Sequence, residues 1–161
     1  MLGAVYADLW EAKLAAGDAS GARDALEKSR NLYRDAFHKV PSDTYVGINA
    51  ASKSALLGEL DAARAIAADV TRRIEEARTA REARVGAPAA DYWERATEAE
   101  ALLVQGKAAE ALALYHDARI AFQHETGSIE STAKQLARLL AVLDVPDDAV
   151  RKLRSEFGIR A

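Results

Sequence analysis

The chain has 161 residues, half of them hydrophobic but only 6% aromatic, with three prolines, nine glycines, no cysteine and a net charge of −3. Without cysteine there can be no disulfide, thiolate nucleophile or zinc–thiolate site, and mild acidity argues against nucleic acid, which selects a basic face. Apolar runs such as 139–143 fall far short of the ~20 residues of a membrane span, and "MLGAVYADLW" lacks a basic stretch and carries Asp8, so it does not read as a secretory signal.

Apolar residues recur at helical spacing almost throughout, and the breakers between them divide the chain into eight expected helices. The first covers 4–16 and stops at Gly17-Asp18; the second, 20–38, stops before Pro41-Ser42. The third, 44–57, holds Gly47-Ile48-Asn49 and ends at Gly58, and the fourth, 60–85, runs to Gly86 and Pro88. In the fourth, "TRRIEEARTAREAR" places Arg72 with Glu76 and Arg78 with Glu82 as solvent-side pairs. Its Val70, Ile74, Ala77 and Arg81 form a stripe that would suit a docking or dimerising helix. The fifth, 91–105, opens on Asp91-Tyr92-Trp93-Glu94, a capping-box pattern. The sixth covers 108–124, the seventh 128–143, and the eighth, 146–157, starts at Pro146 with Asp147 and Asp148 in its first turn. Short connections make sequence neighbours pack antiparallel.

These helices pair, and the pairs repeat. "YADLWEAKLAAGDASGARDALEKSRNLY", "YVGINAASKSALLGELDAARAIAADVTRR" and "YWERATEAEALLVQGKAAEALALYHDARI" each end a first helix on glycine. Five residues later comes alanine, at Ala22, Ala63 and Ala111. This resembles the tetratricopeptide repeat, in which that alanine sits at the tight helix crossing. The glycines stand 41 and 48 residues apart, against ~34 in the family, so the repeats are degenerate. The expected fold is all-α: a tetratricopeptide-like right-handed superhelix of four antiparallel hairpins. One domain spans 1–161, with repeats at 4–38, 44–85 and 91–124 and a capping pair at 128–157. Core positions are expected at Leu9, Leu14, Ala22, Leu26, Leu56, Leu57, Ala63, Ile66, Leu102, Leu103, Ala111, Leu112, Tyr115 and Leu139.

A narrower resemblance follows from the order of four blocks. Leu2, Gly3, Tyr6 and Asp8 come first, then Ala36, Phe37 and Pro41, then Gly47-Ile48-Asn49, then Tyr92-Trp93. This order resembles the TRAFs-binding domain of the regulatory region of apoptosis signal-regulating kinases and of bacterial signalling and defence proteins. That resemblance implies a tetratricopeptide-like scaffold for partner proteins, without catalytic activity in this segment and within a larger polypeptide. Abundant alanine and the excess of arginine (15) over lysine (7) point to a GC-rich bacterial genome, and the absence of cysteine fits a cytoplasmic protein.

The repeat resemblance also implies where a partner would bind. First helices of such arrays line the concave groove, and an asparagine early in the helix often meets a bound peptide's backbone, since an amide both donates and accepts. Counted back from the turn glycines, Asp8, Asn49 and Thr97 are equivalent, as are Tyr45 and Trp93. The expected partner-binding residues are therefore Asp8, Glu11, Tyr45, Ile48, Asn49, Ser52, Trp93, Thr97 and Glu100, with a preference for basic ligands because the charged members are acids. The alternative for Asn49 is a structural bond to a neighbouring backbone group, with Gly47 allowing a close crossing.

No catalytic constellation emerges. His116 and His124 are eight residues apart, too far for a helical metal pair, and His38 stands alone, so no metal site is expected. Glu94 and Glu98 share a face that reads as solvated acid. No serine lies in a nucleophile elbow, and no glycine-rich phosphate loop ends in lysine. An enzyme would need a ligand-sized pocket joining a carboxylate to histidine, and none is expected. The reading is a non-enzymatic interaction scaffold without cofactors, serving a protein or peptide partner or a neighbouring domain of the same polypeptide. It excludes membrane and nucleic acid as partners. The alternative is a self-association or autoregulatory docking element, including a homodimer.

Overall fold

A computed structural model describes residues 1–160. Among them lie eight helices: α1 (Leu2–Ala15), α2 (Ala19–Lys39), α3 (Thr44–Leu56), α4 (Leu60–Glu82), α5 (Tyr92–Val104), α6 (Ala108–Ala121), α7 (Thr126–Leu140) and α8 (Asp147–Phe157). No strand occurs among the described residues.

The repeat is visible in how the first three hairpins turn. Gly17, Gly58 and Gly106 have φ of 76°, 84° and 84°, a region that a side chain would strain. Each bend is closed by the same pair of backbone bonds, among them Asp18 N to Lys13 O, Glu59 N to Ser54 O and Lys107 N to Leu102 O, all at 2.9 Å. Ala22, Ala63 and Ala111 are 1%, 0% and 0% exposed, because at this crossing any longer side chain would push the paired helices apart.

Gly47 is buried for the same kind of reason. A methyl group there would come within 2.7 Å of both Phe37 Cε2 on α2 and Val70 Cγ2 on α4. Because both neighbours are side-chain ends that can shift, Gly47→Ala should cost about 1–2 kcal/mol, the lower part of the overpacking range. Urea denaturation followed by circular dichroism measures it, and an unchanged midpoint would contradict the tight α2–α3–α4 crossing.

Several sequence expectations need correction. Leu9 and Leu14 are 40% and 50% exposed, since α1 buries only the face it turns to α2, where Gly3 and Trp10 sit. Leu56, Ile66 and Leu112 are only partly buried against the core. The Val70 and Ile74 stripe of α4 is not free for docking: both side chains lie in the core with Tyr33, Phe37 and Val46. Arg78 pairs with Glu98 instead of Glu82, and Arg81 makes two bonds of 2.9 and 2.8 Å to Glu94. The end of α4 is therefore tied to α5, and the acids expected to face solvent hold it there. At the start of α5, Asp91 caps the Glu94 N–H at 2.9 Å, but the Glu94 carboxylate goes to Arg81 and does not complete a capping box. Pro146 occupies the N-cap position of α8, outside its first turn, and makes no side-chain capping bond.

Candidate functional site

The fourth pair, α7 and α8, packs Leu136, Leu140 and Leu153 on the third hairpin. Helix α7 also packs on both α3 and α5 and reaches α1. Polar residues three apart make the reach. Thr132 accepts from the Tyr92 hydroxyl at 2.8 Å, Gln135 donates to Glu100 at 2.9 Å, and Arg138 pairs with Glu11 at 2.7 Å while lying over the Trp10 ring. The layer of first helices thus contains α7 as a fourth member, which narrows what would otherwise be an open face.

What remains is a cleft of about 180 Å³ between α3, α5 and α7. Of the expected binding residues, Tyr45, Ile48, Asn49, Trp93, Thr97 and Glu100 line it. Ile48 and Thr97 form buried wall, whereas Tyr45 and Trp93 are 54% and 43% exposed at the rim. Ser52 is buried behind the cleft with its hydroxyl on Glu100; Glu11 is occupied by Arg138; Asp8 is exposed and lies outside the lining.

Asn49 serves its own helix. Its Nδ2 donates to Tyr45 O and its Oδ1 accepts from Lys53 Nζ, both at 2.9 Å. An amide has a second donor and a second acceptor site, so it retains capacity toward the cleft. Lys53, passed over in the sequence, is only 6% exposed and sits 4.7 Å above the Tyr33 ring centroid. Burial lowers its pKa to about 8. Burial likewise pushes Glu100 up from the usual carboxylate range, against the lowering influence of Ser52, Gln135 and Lys53. The signal for Lys53 was present: a single charge in the alanine-rich run 46–57, with no acid four residues away. Gln135 and Arg138 had none, because nothing local tells a capping helix from one lying along its neighbours.

A larger depression of about 780 Å³ separates α6 from α8 and overturns one expectation, since it joins histidine to carboxylate: His116 Nδ1 lies 3.1 Å from Glu156 Oε1. The same oxygen accepts from Arg119; burial works to raise the Glu156 pKa, but the hydrogen bonds from Arg119 and His116 outweigh it and hold the pKa below its usual value. Ser155 shares the depression but makes no hydrogen bond to His116 among the described residues. No cluster of three or more histidines and acids suited to a metal occurs among the described residues. None of their helices is long and apolar enough to cross a membrane.

Three glycine-ended hairpins, each crossing at an alanine, define an all-α protein of tetratricopeptide-like fold. Such repeats generally serve as non-enzymatic modules that bind proteins. A family model described as Tetratricopeptide Repeats-Sensor matches residues 1–57, the stretch from α1 through α3. Comparison with curated proteins gives no match, and comparison with solved structures gives none.

Proposed function

We propose that the chain is a non-enzymatic protein-interaction scaffold, one domain over residues 1–161, that binds a segment of a partner at the cleft between α3, α5 and α7. One observation carries this reading: two large aromatic side chains, Tyr45 and Trp93, stand exposed on either side of a recess with hydrogen-bonding groups inside it. Exposed aromatics around a partly polar recess are the pattern of binding anchors. The order of sequence blocks supports a finer version, a regulatory segment similar to the TRAFs-binding domain within a bacterial cytoplasmic signalling protein. Asn49→Ala combined with Trp93→Ala should abolish capture of partners from a cell extract, scored by mass spectrometry against the unsubstituted protein. A double variant that retains every partner would remove the reading.

A second reading, docking on a neighbouring domain or a second copy, draws on α1. Met1, Leu2, Val5 and Leu9 are all exposed. Counted from the turn glycines, Val5 and Leu9 correspond to Glu94 and Glu98, which contact α4 of the preceding hairpin. The same register on α1 offers an apolar stripe where a further helix would pack.

A further inference from the structure

Glu100 enters the cleft as an acid with no cation bonded to it, although Lys53 acts on it through space. Both of its hydrogen bonds, from Ser52 Oγ and Gln135 Nε2, end on Oε1. Neither reaches Oε2, and no lysine or arginine pairs with Glu100 among the described residues. The nearby cations are committed elsewhere, Arg138 to Glu11 and the Trp10 ring, Lys53 to Asn49 and the Tyr33 ring. Glu100 is half-buried, with Oε2 open to the cleft, and a partly desolvated carboxylate gains from a cation bonded directly to it. Its pKa is displaced accordingly, with burial as the main cause.

The surroundings indicate what would supply that charge. Tyr45 and Trp93 offer aromatic faces at the rim, which attract ammonium and guanidinium groups. The recess of about 180 Å³ is below the ~300 Å³ at which small-molecule pockets begin, and it suits one side chain. An incoming acid would meet Glu100 itself, and the cation in the lining, Arg138, is already paired with Glu11.

We propose that the cleft receives a single basic side chain, an arginine or lysine presented by a protein partner, with its cationic head donating to Glu100 Oε2 and its stem beside Tyr45 and Trp93. This rests on the binding reading above and narrows it to a ligand chemistry.

The two tryptophans allow the test by NMR, because the Trp93 indole N–H resonance can be followed separately from that of Trp10. The chain is titrated with the N-acetyl methylamides of arginine and lysine, and with those of citrulline and norleucine as uncharged counterparts. The arginine and lysine compounds should shift the Trp93 signal and the uncharged ones should not. Glu100→Gln should weaken the response roughly tenfold to a hundredfold, as expected for losing a hydrogen bond to a charged group, while its melting temperature at pH 7 rises. Trp93→Ala, an exposed-rim change read at the backbone amide of Glu100, should weaken binding too, so the idea stays testable if Glu100→Gln fails to fold. Equal response to citrulline, full response in Glu100→Gln, or no response to any compound up to its solubility would overturn the proposal. If the Asn49 and Trp93 double variant loses its partner while Glu100→Gln keeps it, the binding reading survives and this narrower one falls. If both variants keep it, both readings fall.

Discussion

Replacing Leu139 by alanine is expected to lower stability by about 2–5 kcal/mol, toward the upper end of that range. The side chain is fully buried in a cluster that draws Tyr33 and Phe37 from α2, Val46 and Ile48 from α3, Val70 and Ile74 from α4, and Val104 from α5. Leu139 is the α7 residue among the buried members of that cluster, whereas Leu136 and Leu140 pack with Tyr115 and Leu153 in another. The cavity left by truncation would be hard to close. The same cluster includes Ala50, Ala51, Ala55 and Ala101, whose methyl groups cannot extend, and the helices that carry them already meet at close crossings. Urea unfolding followed at 222 nm measures the loss. If α7 and α8 separate before the rest, the single transition should split or its slope should fall. A loss below about 1 kcal/mol would mean that α7 is not held where the hydrogen bonds to Tyr92 and Glu100 place it.

How much of this could be read in the amino-acid order varies with the range of the forces involved. Turn glycines followed by alanine five residues on are a local code, since one residue bends the chain and the other meets the helix folded back upon it. The hairpins of α1 to α6 were legible for that reason. The α4–α5 link was not, although Arg78, Arg81, Glu94 and Glu98 were all conspicuous. Pairing within one helix and pairing across a nine-residue connection use the same residue types, and only the crossing of α4 and α5 decides between them. The cleft stands midway. Repeat register brought Tyr45, Asn49, Trp93 and Glu100 together on one layer, but its closure depends on where α7 lies, and that is set by Leu139 and the three polar anchors together. The exposure of Leu9 and Leu14 is a related miss: hydrophobic spacing marks faces that can be buried, while the number of neighbours decides which of them are.

Lys53→Met is expected to raise stability at pH 7 by about 2 kcal/mol, with an advantage that shrinks as pH rises. Burial holds the Lys53 pKa at about 8, against 10.5 for an unburied lysine. Below pH 8 the side chain is charged in both folded and unfolded chains, and the folded state bears the full cost of desolvation. Between about 8 and 10.5 the unfolded chain still binds a proton that the folded chain has released, so the stability of the natural protein increases with pH there. Above 10.5 both forms are neutral and the cost is gone. At 1.36 kcal/mol per pKa unit the whole span amounts to about 3 kcal/mol. Methionine has a similar length and no charge, but it leaves Asn49 Oδ1 without its donor, which returns about 1 kcal/mol. Tyr33, whose pKa burial raises, also titrates in alkali. It is present in both proteins, so the difference in their urea midpoints between pH 7 and 9.5 isolates Lys53. A difference that stays constant over that range would show that Glu100, together with the Tyr33 ring and Asn49, keeps the lysine fully protonated in the fold. A narrowing difference would identify Lys53 as a group retained against the interest of stability. The reason then lies in what it touches: its ammonium holds the Asn49 amide, and that amide lines the cleft.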